Sequence, residues 1–333
     1  MNINNKIKKV KEILTDKKVA IGFSGGADST LIAYLSSKVS KDTLAITINN
    51  HLMPKEFINH TKNMTDSFKI KHEIVDINFY NNKEFLLNNA KRCYNCRKEM
   101  YKHIKKIAVN NGYDFICDGN NISDLVIDRP GILITYDMNF KIPLIEAKLS
   151  SKEIHQYLHE NNIPYSKSTT CLATRIPTNT IINEKKIKKI KQAENYIQDN
   201  TNCKIIKVRD INNHAICEVD NLDEILNNNK YIQINNQLKD YGFEKVALNL
   251  SALNDDEYIS IKYQNNSFSY QLPFEINLKN TAKQLKISDA NGKIELDNII
   301  IYENGIIEGN NFETYEHAMN KFMEILPKIR RNV

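Results

Sequence analysis

The sequence predicts an α/β protein: a parallel sheet covered by helices on both faces, then a small α+β unit, then a β-rich C-terminal part. Three observations carry this. Over the first third, short β-branched runs alternate with stretches of helical period, the pattern of strands joined by crossover helices. A run of small residues, Gly22-Phe23-Ser24-Gly25-Gly26-Ala27-Asp28-Ser29, falls where the first strand gives way to a helix. From Ser251 onward the texture turns to alternating, hairpin-like runs.

In order, Ile3, Ile7, Val10 and Leu14 form an N-terminal helical stripe. Lys18–Phe23, Leu44–Ile48, His72–Ile77 and Asp114–Cys117 read as strands, and Thr30–Lys38, Met53–Phe68 and Arg97–Asn110 as the helices between them. After Asp118 a polar turn leads to Arg129-Pro130-Gly131, a loop that should enter another strand-like stretch. Ser150–Asn161 is helical and Pro164 closes it; the hydroxyl-rich segment around Cys171 has no period and reads as an ordered loop. A helix begins near Asn183, with Ile187, Ile190, Ala193 and Ile197 inward and a solvated row of Lys185, Lys186, Lys188, Lys189 and Lys191 outward. Two alternating runs follow, Lys204–Arg209 and His214–Val219, and the chain ends in an amphipathic helix, Tyr315–Arg330.

At 333 residues the chain is about twice a modal domain. The expected division is 1–176, 177–250 and 251–333. Hydrophobic residues at 41% and charged residues at 26% exclude global disorder. No stretch approaches the roughly 18 apolar residues of a membrane span. The basic N-terminus lacks the continuous apolar core of a signal peptide, so a cytoplasmic protein is expected. Six cysteines are too sparse for a disulfide scaffold and are core residues, metal ligands or reagents. The net charge of +6 is mild, and residues Lys185–Arg209 alone hold eight Lys/Arg against two Asp/Glu.

The small-residue run carries the strongest chemistry. Free backbone N–H groups at a helix N-terminus make an anion nest, and the helix dipole adds to it. It lacks the Gly-Lys-Ser/Thr of a Walker A loop and is not GxGxxG. Ser24, Gly25, Gly26 and Ser29, with Gly22 at the strand end, are the candidate phosphate contacts and Asp28 a candidate support for loop or metal.

The second signal is Cys93-x-x-Cys96, with a distant third thiol at Cys171. Arg92, Arg97 and Lys98 beside the pair should lower the thiol pKa values. Zinc would need a fourth ligand from His103, Cys117 or His155, none at convincing spacing. A redox pair is the other reading of two cysteines; three suggest ligation of an iron–sulfur cluster with one iron left open. Cys117, Cys203 and Cys217 read as buried small hydrophobes.

The S-G-G-x-D-S pattern resembles the pyrophosphate (PP) loop of adenylating ATP pyrophosphatases. Together with Arg92-Cys93-Tyr94-Asn95-Cys96-Arg97, Asp118–Asp124, Asp128–Gly131, Pro143-Leu144 and Cys171-Leu172-Ala173-Thr174-Arg175-Ile176-Pro177, it looks like the LarE family over roughly residues 5–250. That resemblance implies a Rossmann-like PP-loop domain and an ATP- and Mg²⁺-dependent enzyme. Its substrate would be a pyridinium-3,5-biscarboxylic acid mononucleotide, its carboxylates adenylated and converted to thiocarboxylates for a nickel-pincer cofactor. It implies Cys171 as the catalytic cysteine, either sacrificed for its sulfur or, where all three cysteines occur as here, holding a 4Fe-4S cluster with Cys93 and Cys96. Asp28 and Arg175 would assist catalysis, and the backbone at Ile46–Thr47 would be the adenine neighbour.

Asp124, Arg129, Arg175, Lys207 and Arg209 are candidate partners for substrate phosphate or carboxylate. Glu194 and Glu218 resemble acidic positions of the family's second domain, although each alone reads as a solvated surface charge. The family usually has two arginines where this chain has Lys207 and Arg209, and a Gly where Thr178-Asn179 follows the Cys171 motif. Partners expected are the nucleotide, sulfide or a sulfur donor, and a second copy of the chain, with no membrane. A tRNA-thiolating PP-loop enzyme with a cluster is the alternative, but few aromatics flank the basic stretch.

Overall fold

A computed structural model of the chain describes residues 2–54, 56–127, 131–166, 170–253, 259–287 and 292–331. Arg129 lies outside the described residues.

The N-terminal half runs α1 (Ile3–Leu14), β1 (Lys18–Gly22), α2 (Ala27–Val39), β2 (Asp42–Asn49), α3 (Phe57–Phe68), β3 (Lys71–Asp76), α4 (Lys83–Leu86), α5 (Arg92–Asn110) and β4 (Phe115–Cys117). The four strands form a parallel sheet in the order β3-β2-β1-β4, as expected of a PP-loop α/β domain. Val10, Leu14, Leu31, Leu35 and Met64 pack on one face; Tyr101, Ile104 and Ala108 of α5 pack on the other. This order reverses direction between β1 and β4, and their carboxyl ends open a crevice there.

Then come α6 (Ile132–Asp137), α7 (Pro143–Glu146) and α8 (Ser151–Glu160). The strand-like stretch expected after Gly131 is helical. Ile134 packs beside Tyr101 and Phe140 while Ile132 enters a separate core, a division between two sides that a helical turn provides. The edge of β4 receives only Lys141, as a single bridge to Cys117.

The next unit comprises α9 (Glu184–Asn200), β5 (Ile206–Ile211), β6 (His214–Val219), α10 (Asp223–Leu226), α11 (Lys230–Asp240) and β7 (Lys245–Leu248). Asn183 caps α9, accepting from Lys186 N at 2.9 Å. Ile187, Ile190, Ala193 and Ile197 face Val208, Ala215 and Val219 as expected. One member of the lysine row departs from expectation. Lys189 turns in to Asp210 at 3.0 Å and lies 4.1 Å over the Phe243 ring.

The C-terminal part holds β8 (Lys262–Gln264), β9 (Ser267–Gln271), α12 (Leu278–Leu285), β10 (Lys293–Leu296), β11 (Ile299–Tyr302), β12 (Ile306–Gly309) and α13 (Tyr315–Ile325). Its five strands form an antiparallel sheet, β10-β11-β12-β9-β8. The last helix is shorter than its periodicity suggested because Pro327 sits in a 3-10 turn, Leu326–Lys328, that ends it. No helix among the described residues is long and apolar enough to cross a membrane.

Candidate active site

The small-residue run forms a tight turn between β1 and α2. Gly25 takes φ +72°, a left-handed conformation that costs a side-chain-bearing residue. Gly26 is the helix N-cap and offers no side-chain cap, so the first-turn N–H groups of α2 have no side-chain acceptor at that position. Hydroxyls hold the turn. Ser24 N donates to Ser29 Oγ at 3.3 Å, Gly26 N to Ser24 Oγ at 3.4 Å, and Ser29 Oγ to Gly26 O at 3.2 Å.

Gly22, Ser24, Gly26, Asp28 and Ser29 line a cavity of about 180 Å³. Its opposite wall comes from α5 and from the chain after β4: Arg97, Asp118, Gly119, Asn120 and Asp124. The approach is close, since a Cβ on Gly119 would stand 3.0 Å from Ser29 N. Asn121 Nδ2 donates to Asp28 Oδ1 at 2.9 Å, and Asp124 accepts from Asn121 N at 2.9 Å. Thr47 lies deeper. Its hydroxyl donates to Phe23 O at 2.9 Å and meets His72 Nε2 at 2.8 Å, so its side chain braces the loop, while β2 runs two residues further to Asn49.

Arg97, Asp118 and Asn120 were not singled out by the sequence reading as site residues. Asp118 Oδ2 accepts from Arg97, from Asn120 and, at 2.8 Å, from Thr135. Arg97 also donates to Tyr101 OH, whose phenol burial pushes well above its ordinary range. The polar run directly after a β-branched strand was the available signal.

Arg97 stands one turn beyond Cys93 on α5, which begins at Arg92 and so places Cys93 and Cys96 within its first turns. Cys171 enters from the distant loop as N-cap of a 3-10 turn, Leu172–Arg175. Arg92 joins the two segments, donating to Cys93 Sγ at 3.4 Å and to Ala173 O at 3.2 Å. Cys96 and Cys171 pack in the same core. Burial pushes Cys96 well above the thiol range, with Cys171 and Cys93 adding to the rise; burial also raises Cys171. The expected lowering by Arg92 and Arg97 acts on Cys96 but is outweighed by burial.

Among the described residues no three His, Cys, Asp or Glu side chains are arranged so as to hold a metal ion as they stand. None of the possible fourth ligands is shown at the thiols: Cys117 is buried in β4, His103 faces Glu99 at 3.4 Å, and His155 stacks on Tyr165. Cys117, Cys203 and Cys217 are buried, as expected.

Behind Cys171, Arg175 is buried and donates to Glu194 Oε1 at 2.7 Å, Thr170 Oγ1 at 2.6 Å and Thr174 Oγ1 at 2.9 Å. Arg209 donates to Glu218 Oε1 at 2.9 Å and to Thr174 O at 3.3 Å. The two glutamates are therefore buried ion-pair partners and not the solvated charges that each alone suggested. Burial pushes the Glu194 carboxyl up while Arg175 pulls it back. Lys207 stands opposite Glu218 across β5 and β6, two residues before Arg209 and on its face. Among the described residues, Arg175 Nη2 and Glu218 Oε2 are buried without a hydrogen-bond partner.

Residues 1–127 match the PP-loop domain family. An uncharacterized protein of Methanocaldococcus jannaschii is 32% identical over 242 residues, 72% of this chain and 92% of that protein. Pyridinium-3,5-bisthiocarboxylic acid mononucleotide synthase of Lactiplantibacillus plantarum is 24% identical over 241 residues, 70% of this chain and 86% of the synthase. A tRNA-specific 2-thiouridylase of Fusobacterium nucleatum is 44% identical over 62 residues, 18% of each chain.

Proposed function

The chain belongs to the family of the M. jannaschii protein and carries a PP-loop domain, and on that premise we propose that it is an ATP-dependent sulfurtransferase of the LarE kind. The substrate is a pyridinium-3,5-biscarboxylic acid mononucleotide and the product its thiocarboxylate. The observation that carries this reading is the junction Arg92 makes between the two cysteine segments, to Cys93 Sγ at 3.4 Å and to Ala173 O at 3.2 Å, with Cys93 one helical turn from Arg97 in the cavity wall.

A carboxylate is a poor electrophile until one oxygen becomes a leaving group. The substrate oxygen attacks the α-phosphorus of ATP, the bond to the β-phosphate breaks, and pyrophosphate leaves with the electron pair. The amides of Ser24–Ser29 stabilise the charge that develops; Asp28 would hold Mg²⁺, which would supply further positive charge to the phosphates when bound. Hydrosulfide then adds to the acyl carbon, AMP departs with the carbon–oxygen pair, and one proton is released. Arg175, Lys207 and Arg209 supply the cations for an anionic nucleotide, and the unpartnered Arg175 Nη2 is suited to donate to one more acceptor atom.

Cys93, Cys96 and Cys171 are soft donors beside the Arg92 cation, a donor set that fits a 4Fe-4S cluster; such a cluster would supply the sulfide. The tRNA-thiolation reading has a relative in its favour, but that match spans under a fifth of either chain. The test is anaerobic incubation with Mg-ATP, sulfide and the biscarboxylate nucleotide. Expected are AMP, pyrophosphate, and more than one sulfur transferred per chain. A protein lighter by one H₂S would show that Cys171 is consumed, and product only on tRNA would overturn the substrate assignment.

A further inference from the structure

The C-terminal sheet shares its core with the nucleotide site's own supports. Two short segments lie between them, and each has two working sides. In the 3-10 turn Ile122–Leu125 and its cap, Asn121 reaches Asp28 and Asp124 caps Asn121, while Ile122, Leu125 and Val126 are buried with the C-terminal residues Leu272, Ile276 and Leu326. In α6, Thr135 donates to Asp118 at 2.8 Å and accepts from Asn120 at 3.0 Å. Ile132 of the same helix enters the C-terminal core, and Tyr136 lies beneath Arg330, whose guanidinium is 4.1 Å from the ring centroid.

Arg330 is itself fixed. Its N–H donates to Thr281 Oγ1 at 2.9 Å and its guanidinium to the carbonyls of Pro327 and Ile329, each at 2.9 Å. A second tie, Lys148 to Glu324 at 2.9 Å, joins α13 to the segment before α8. A cation held against an aromatic face restricts the ring and the helix that bears it. Hydrogen bonds at Thr135 weaken steeply with misalignment, so a small shift of α6 loosens Asp118 and re-aims Arg97. The match to the M. jannaschii protein takes in 92% of that protein but 72% of this chain, so this chain has length beyond the matched part.

We propose that the C-terminal part is a positioning element for the nucleotide site, holding α6 and the 122–125 turn against the cavity wall, with Arg330 as its positioning residue. The inference rests on reading that cavity as the ATP site.

Its test measures Mg-ATP affinity by calorimetry and melting temperature together, on the full chain. Arg330→Ala is expected to weaken ATP binding about three- to thirtyfold, the range of coupling carried through packed elements, with Arg330→Lys restoring much of it. Combined with Thr135→Val, the two losses should be less than additive, because both act through α6. Ile301→Val, a core change in β11 of the same sheet that leaves Arg330 and Thr135 intact, serves as the stability control. ATP affinity within about twofold of wild type in Arg330→Ala would overturn the proposal, as would strictly additive losses. So would an equal loss in Ile301→Val at a matched drop in melting temperature, which marks a merely structural effect. A wild-type chain that binds no Mg-ATP would refute the reading of the cavity itself, an outcome distinct from these because every variant would then behave alike.

Discussion

Arg175 and Glu194 form an ion pair, Nε to Oε1 at 2.7 Å, with their side chains only 1% and 8% exposed. The pair fixes the loop that carries Cys171 to α9, and Val208 N adds a bond to the same carboxylate oxygen at 2.9 Å. Removing one partner of a buried pair strands the other charge and costs about 3–5 kcal/mol. Arg175→Met should lower unfolding free energy by about that amount in urea titrations. Glu194→Gln should cost less, since the amide oxygen still accepts from Nε and from Val208. A loss below about 1 kcal/mol for Arg175→Met would place the pair among weakly coupled surface pairs.

Gly119 sets the closeness of the two cavity walls. An added Cβ would press on Ser29 N at 3.0 Å and Asp28 Cβ at 3.3 Å, both on the first turn of α2. Gly119→Ala is therefore expected to weaken Mg-ATP binding about tenfold or more, positional errors near 1 Å being worth up to about a hundredfold. Titration calorimetry with an unchanged circular dichroism spectrum is the measurement; unaltered affinity would mean that the wall yields.

The six cysteines should separate into two sets of three. After anaerobic reconstitution, Cys93→Ala, Cys96→Ala and Cys171→Ala should each lose the bound iron. Cys117→Ala, Cys203→Ala and Cys217→Ala should keep it, burial having pushed the Cys217 thiol up to about 12 and left it inert. Iron and sulfide assays decide this, and a Cys93→Ala protein with full iron would dismiss three-thiol ligation.

His72 gives the fold a pH dependence. Burial holds its imidazole below the ordinary value of 6.5, Lys62 adding to the depression and Asp66 opposing it. The unfolded chain therefore takes up its proton at a higher pH than the folded one. Stability from this group is complete above 6.5 and is lost as pH falls through the lower folded value. Melting temperature should drop between about pH 7.5 and about pH 5.5, and His72→Gln should flatten that portion of the curve. Parallel curves for the two proteins would remove His72 as the cause.

The strand–helix alternation of the first third was legible because burial on both faces writes continuous β-branched runs, and Gly25-Gly26 marks the turn by backbone freedom alone. The helix over Ile132–Asp137 was not. Its residues are β-branched, and what makes it helical is the separation of Ile132 from Ile134 between two cores, which no local pattern records. The burial of Glu194 and Glu218 escaped for a similar reason: a charged residue on an amphipathic element looks solvated until its partner arrives, here from Arg175 and Arg209, each on another element. Arg97 was seen as a neighbour of thiols, whereas its side chain spends its bonds on Asp118 and Asn120 across the cavity.

Because Cys93 and Arg97 ride on one helix, the rise from the Cys93 position to the cavity-lining Arg97 is fixed at about one helical pitch, roughly 6 Å along the axis. On the reaction proposed above, the separation between activation at the cavity and sulfur chemistry at Cys93 would be written into the rise of one helix, whatever the loops around it do.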